Sequence, residues 1–247
     1  MIQLKRFQKF NIYESLTNRN YCKIQAYTKR MINMGNKLLE QLLDKSITKE
    51  QLAENVKKNF NLLPDIVTGM SSPKATIRYG CGKILMDLSE EYPEKIYHHW
   101  DFFVNFLDSE YRILTWQAMA IIANLTKVDI DNKFDTIFEK YYDFINNDYM
   151  VTVANVIGYS SKIALAKPHL VQRITNEMLK VENLSITPHL TEECKRVIAE
   201  KTIESIDTFF DQVEQKEMVI SFVEKHRNSS RKTLKTEAEK FLEKWNK

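Results

Sequence analysis

Glycine and proline are scarce in this chain, five of each in 247 residues, where about 7% and 5% would be ordinary. Sheet proteins need such residues to reverse the chain after every short strand, so the shortage favours helices. Cysteine is scarcer still: Cys22, Cys81 and Cys194 are odd in number and widely scattered, and no CxxC or Cys/His pair has metal-site spacing. Free thiols in a reducing cytoplasm are the expectation. Long apolar runs are also missing. The longest, Ala118 to Ala123, falls far short of the roughly 18 residues that span a bilayer, and the first residues lack the apolar core of an export signal.

What is present is enough to fold. Hydrophobic residues make up 43% and charged residues 28% of the chain, with a mean hydropathy of −0.41, so apolar burial can offset chain entropy. The net charge of +3 conceals a division: residues 1–37 carry +7, residues 225–247 carry +5, and the middle carries −9. Basic ends can meet phosphates or acidic surfaces, and they are equally what solvated helix faces look like.

Helical periodicity appears early. Phe7, Phe10 and Tyr13 recur at threes, and Ile24, Tyr27, Met31, Met34, Leu38 and Leu42 form a stripe that should end near Asp44. Thr48 with Gln51 is a capping-box pattern ahead of Leu52, Val56 and Phe60. Pro64 marks a helix start or kink, and Ser72-Pro73 and Thr187-Pro188 each place an N-cap residue before a proline suited to the first helical position.

Beyond residue 60 a two-helix pattern repeats. With the small residue of each second helix placed at Cys81, its counterparts are Ala118, Ala154, Ala199 and Ala238, at spacings of 37, 36, 45 and 39. Apolar companions follow three, four and seven positions on, as in Ile84, Leu85 and Leu88. The third copy fits least well. Each helix pair is too small to bury its own apolar face, and stacking on neighbours solves that problem.

This pattern resembles the HEAT repeat, best at Leu62-Leu63-Pro64 through Leu88, including Ile77-Arg78 where the family favours Val-Arg; armadillo repeats are a near alternative. Arg78 has no counterpart at Thr115 or Thr152, and the fourth copy inserts residues around Glu182–Ile186. The resemblance implies an all-α fold, a right-handed superhelix of stacked hairpins. Residues 1–60 would be a helical cap with a basic arm. Residues 61–247 would form one solenoid of five repeats, about 61–97, 98–134, 135–167, 168–214 and 215–247.

Catalytic patterns dissolve on inspection. Gly80-Cys81-Gly82-Lys83 lacks the glycine and hydroxyl that a phosphate loop needs at Ile77 and Ile84, and small residues admitting a neighbouring helix account for it better. Glu94, His98 and Asp101 share a helix face at ligand spacing, yet charged residues at a helix start commonly face solvent. His99-Trp100-Asp101 is similar to the Trp-Trp-Asp stretch of HEAT-like DNA glycosylases acting on alkylated bases, but the catalytic position falls on Phe103. No cofactor or metal is expected.

In stacked hairpins the second helices line the concave surface, so their non-core positions are the place for a partner. They give Tyr79, Lys83 and Met86, then Trp116 and Met119, then Asn155 and Tyr159; in the last two copies they include Val197, Glu200, Lys201 and Glu204, then charged residues of the final helix. The expectation is a non-catalytic cytoplasmic scaffold gripping a protein or peptide with these residues. The alternative is a nucleic-acid-binding relative of the glycosylases without their catalytic aspartate, using the basic ends.

Overall fold

A computed structural model describes residues 37–245. Among them the regular structure is helical, apart from one isolated bridge between Thr187 and Leu190. No described helix is long and apolar enough to cross a membrane. The chain divides into two compact units, Met1–Ile84 and Leu85–Lys247.

In the first unit, residues 37–43 are helical (α1), and Leu42 is buried. The earlier part of the predicted stripe, the Phe7-to-Tyr13 pattern and the N-terminal basic run lie outside the described residues. α1 stops where expected, and Lys45 beyond it takes a left-handed backbone, φ 64°. Thr48 then caps α2 (Lys49–Lys58) as its sequence predicts. Its hydroxyl accepts from the Gln51 N–H at 3.2 Å, and the Gln51 side chain accepts from the Thr48 N–H at 2.9 Å. Pro64 sits in the first turn of α3 (Leu63–Gly69), where a missing N–H costs nothing.

Two of the proline-marked starts are displaced. After Ser72-Pro73 the helix α4 begins at Ala75 (Ala75–Glu91), and Ser72 caps only locally, through the Lys74 N–H. Thr187-Pro188 begins no helix: Thr187 and Leu190 exchange backbone hydrogen bonds of 3.0 and 3.1 Å around a turn. Thr191 provides the cap instead, accepting from the Cys194 N–H. A hydroxyl residue before proline suits a turn as well as a helix start, and here the local ring of hydrogen bonds decides.

The second unit is a succession of hairpins. The first arm of each is short and broken by 3-10 turns: α5 (Pro93–Ile96) and α6 (Trp100–Asn105), then after the long α7 (Arg112–Leu125) comes α8 (Lys133–Tyr142). The remainder alternates likewise, α9 (Met150–Ala166), α10 (Val171–Leu179), α11 (Glu192–Asp207), α12 (Lys216–Glu224) and α13 (Lys232–Trp245). Helices α7, α9, α11 and α13 are the second arms, and consecutive ones pack side by side.

Cys81, Ala118, Ala199 and Ala238 are all buried, at 0 to 5% exposure, as the repeat phase requires. Ala154 is not: it is half-exposed, and Val153 occupies the core position at 0%. Val156, Ile157 and Ser160 then complete the three, four and seven spacing, all buried. The third copy is therefore out of register by one residue. A small residue marks the core position only where a neighbouring backbone comes close, and in α9 a valine fits.

A buried polar knot fastens the turn between the second and third copies. Asp129 Oδ1 accepts from Tyr97 Oη at 2.6 Å and the Lys133 N–H at 2.9 Å, Oδ2 from the Phe134 N–H at 3.0 Å, and Lys167 Nζ lies 3.0 Å from Oδ2. Lys167 also donates to the Asp129 carbonyl and to Asn132 Oδ1. Both charged residues are 4% exposed, so the pair offsets desolvation only because nearly every lone pair and proton is used.

Candidate partner-binding face

The one-residue shift in α9 redraws the face that the second arms present. Counting from Val153, the outward positions are Val151, Ala154, Asn155 and Gly158, all half-buried or exposed. Thr152 and Val156, which a count from Ala154 would turn outward, are buried. Of the residues singled out in this copy, Asn155 stays at the surface with its amide donating to the Val151 carbonyl at 2.9 Å. Tyr159 is half-buried; burial, then the charge of Glu90, raises its phenol.

In the second copy the face is closed. Every residue of α7 from Gln117 to Leu125 is buried, so Met119, expected to meet a partner, belongs to the core at 0% exposure, and its carbonyl accepts from Tyr141 Oη at 3.2 Å. Small Ala120 and Ala123 let the flanking helices approach over α7. Lys162 of α9 reaches Glu90 of α4 at 2.7 Å and Asn124 Oδ1 of α7 at 2.8 Å, and Asn124 in turn donates to Ser89 Oγ and the Met86 carbonyl. Trp116 remains half-exposed, its indole N–H held by Thr152 Oγ1 at 3.0 Å. Met86 is half-buried beside this network. Tyr79 and Lys83 belong to the first unit, where Tyr79 lines a cavity of about 550 Å³ with Leu42, Ile47 and Thr48, while Lys83 is exposed.

The open part of the face lies between α9 and α11. A groove of about 300 Å³ has Met150, Val151, Ala154 and Asn155 on one side and Val197, Glu200, Lys201 and Glu204 on the other, with Arg231 at its end. Val151 leaves 43% of its surface exposed there. Arg231 Nε and Nη1 hold Glu200 and Glu193 at 2.6 Å each, and Lys201 pairs with Glu204 at 3.1 Å. Hydrogen bonds from Arg196 and Arg231 keep the Glu193 carboxyl below its ordinary value. One guanidinium thus serves two carboxylates, and with Arg196 on Glu193 the rim carries three cations against three carboxylates. The sequence named the α11 side of this groove; it missed Val151 and Ala154, because only the burial of Val153 reveals their phase.

Elsewhere the candidate chemistry disperses. Trp100 and Phe103 are core residues, and no group of three His, Cys, Asp or Glu among the described residues is arranged to hold a metal. Cys81 is a free, buried thiol pushed up to about 12 by desolvation, an inert packing residue at ordinary pH. Cys194 is free and half-buried.

No protein-family model matches the chain, and no curated protein matches it. Solved structures do. It is similar to a designed armadillo repeat protein at 16% identity and TM-score 0.56, over 83% of this chain and 89% of that one. It is also similar to a designed armadillo repeat protein in complex with the peptide (KR)4, at 14% identity and TM-score 0.58, over 84% and 91%. An engineered protein matches at 14% identity and TM-score 0.51, over 85% and 90%. The chain has an armadillo/HEAT-like helical-repeat fold, all α.

Proposed function

We propose that this chain is a non-catalytic repeat scaffold that binds an extended segment of a protein partner in the groove between α9 and α11. The observation that carries this reading is the groove itself: an apolar floor at Val151, Ala154 and Val197 bordered by the carboxylates and cations of Glu200, Glu204, Lys201 and Arg231. An apolar anchor supplies affinity and the rim fixes orientation. That one structural neighbour carries a bound peptide supports the same use of the fold. The site therefore moves from the face of Tyr79, Lys83, Met86, Trp116, Asn155 and Tyr159 toward the C-terminal copies, keeping Asn155.

Nucleic-acid binding through the C-terminal basic stretch is the weaker reading, because five of its seven described cations are paired within the fold, Arg227 and Lys232 being the exceptions. Lys225 pairs with Glu182, Arg231 with Glu193 and Glu200, and Lys244 with Asp207. Such cations release few counterions on meeting phosphate.

Selection of peptides from a displayed random library tests the proposal. Affinities of the selected peptides should fall about tenfold or more, roughly 1.4 kcal/mol, in Val151→Glu and Val197→Glu with the far-ultraviolet spectrum unchanged. Peptides that bind both variants as well as the parent would place the site elsewhere.

A further inference from the structure

Seven large hydrophobic side chains are left exposed among the described residues, and four of them, Tyr111, Ile113, Val151 and Ile186, fall on one edge of the second unit. That edge is formed by the N-terminal ends of α7 and α9 and the segment leading into α11. It is built rigidly. The Arg112 guanidinium lies 3.7 Å over the Tyr149 ring, and Tyr149 stacks on His189 at 4.5 Å and 12°. Thr187 Oγ1 donates to the Asp148 carbonyl at 3.3 Å, tying the pre-α11 segment to the start of α9. Three consecutive copies are thus joined by one cation–aromatic–imidazole column.

From this edge we infer a docking surface for a basic amphipathic helix of a partner protein. The anchors Ile113 (42% exposed) and Val151 (43%) lie on the neighbouring helices α7 and α9, with Ile186 (60%) on the segment before α11, and packed helices stand about 8–10 Å apart. An α-helix returns a side chain to the same face after seven residues, about 10.5 Å, which matches. Residues sharing a face of a strand recur at about 6.7 Å, which does not. Charge selects the sign of the partner. Glu110, Asp148 and Glu192 are exposed along the edge, and none has an ion pair among the described residues; the one cation in the column, Arg112, is committed to Tyr149. Lysines flanking the apolar stripe of the bound helix would meet these carboxylates.

The surface meets the groove at Val151, while Ile113 and Ile186 do not line the groove and so distinguish the two. The probe is a labelled synthetic helix of about three heptads with leucine on one face and lysine beside it, titrated into the full chain by fluorescence anisotropy. Binding is expected, at least about tenfold weaker in Ile113→Gln/Ile186→Gln, and less salt-dependent in Glu110→Gln/Asp148→Asn. A matched helix with glutamate in place of lysine should not bind. The inference is overturned if the basic helix fails to bind, if the isoleucine variant binds it as tightly as the parent, or if the acidic helix binds equally well. Library peptides that lose affinity in Val197→Glu but not in Ile113→Gln/Ile186→Gln report on the groove alone, so the two surfaces fail separately.

Discussion

Lys162 Nζ lies 2.7 Å from Glu90 Oε1 although 72 positions separate them, so the third copy touches the first directly over the second. The same ammonium donates to Asn124 Oδ1, a residue 3% exposed. These two contacts differ in weight. The ion pair is solvated, with side chains 31% and 57% exposed, and such pairs contribute about 0–1 kcal/mol. The hydrogen bond satisfies a buried acceptor, whose abandonment costs about 1–3 kcal/mol. Glu90→Gln is therefore expected to change unfolding free energy by less than about 0.5 kcal/mol and Lys162→Met to lower it by about 1–2 kcal/mol, read from urea denaturation. Equal losses would assign the clamp to the ion pair.

Asp129 is a different case because its own carboxylate and the Lys167 ammonium are both buried. Burial alone would raise its carboxyl, but hydrogen bonds from Tyr97, the Phe134 N–H, Lys167 and the Lys133 N–H outweigh that and hold it below the ordinary range. A carboxyl with a lowered folded pKa stabilises the fold above its unfolded value, near 3.9, and that stability disappears as pH falls through the folded value. Asp129→Ala leaves Lys167 charged and buried, so a loss of about 3–5 kcal/mol is expected. Unfolding free energy followed from neutral pH into acid should fall more steeply in the parent than in the variant, which no longer has this group to protonate.

Periodicity made most of the fold legible, and one residue of phase limited the site. Four of the five small-residue positions, Cys81, Ala118, Ala199 and Ala238, are buried as the repeat phase requires. In α9 the core instead accepts Val153, and a run such as Val151-Thr152-Val153-Ala154 offers two equally apolar readings. Closure over α7 was less readable still: it depends on Lys162 reaching two copies away, and local sequence carries no sign of that contact. The corrected phase predicts a contrast between adjacent residues. Val153→Asp should unfold the protein or cost more than about 4 kcal/mol, whereas Ala154→Ser should stay within about 0.5 kcal/mol. Thermal melts of the two variants decide it, and comparable losses would restore the original register.

Gly69 and Cys81 meet at a close helix crossing in the first unit. A Cβ built on Gly69 would fall far inside contact distance of Cys81 Sγ and 3.3 Å from its Cβ. Gly69 closes α3 and Cys81 is a fully buried residue of α4. Helix propensity favours alanine over glycine by about 1 kcal/mol, but overpacking costs about 1–3 kcal/mol. Gly69→Ala is therefore expected to destabilise on balance. Removing the sulfur relieves the clash, so Gly69→Ala/Cys81→Ala should be more stable than the sum of the single variants predicts, by about 1 kcal/mol of coupling. Strict additivity in urea denaturation would show that the helices move apart, and that the small residue at this repeat position is not held there by the crossing.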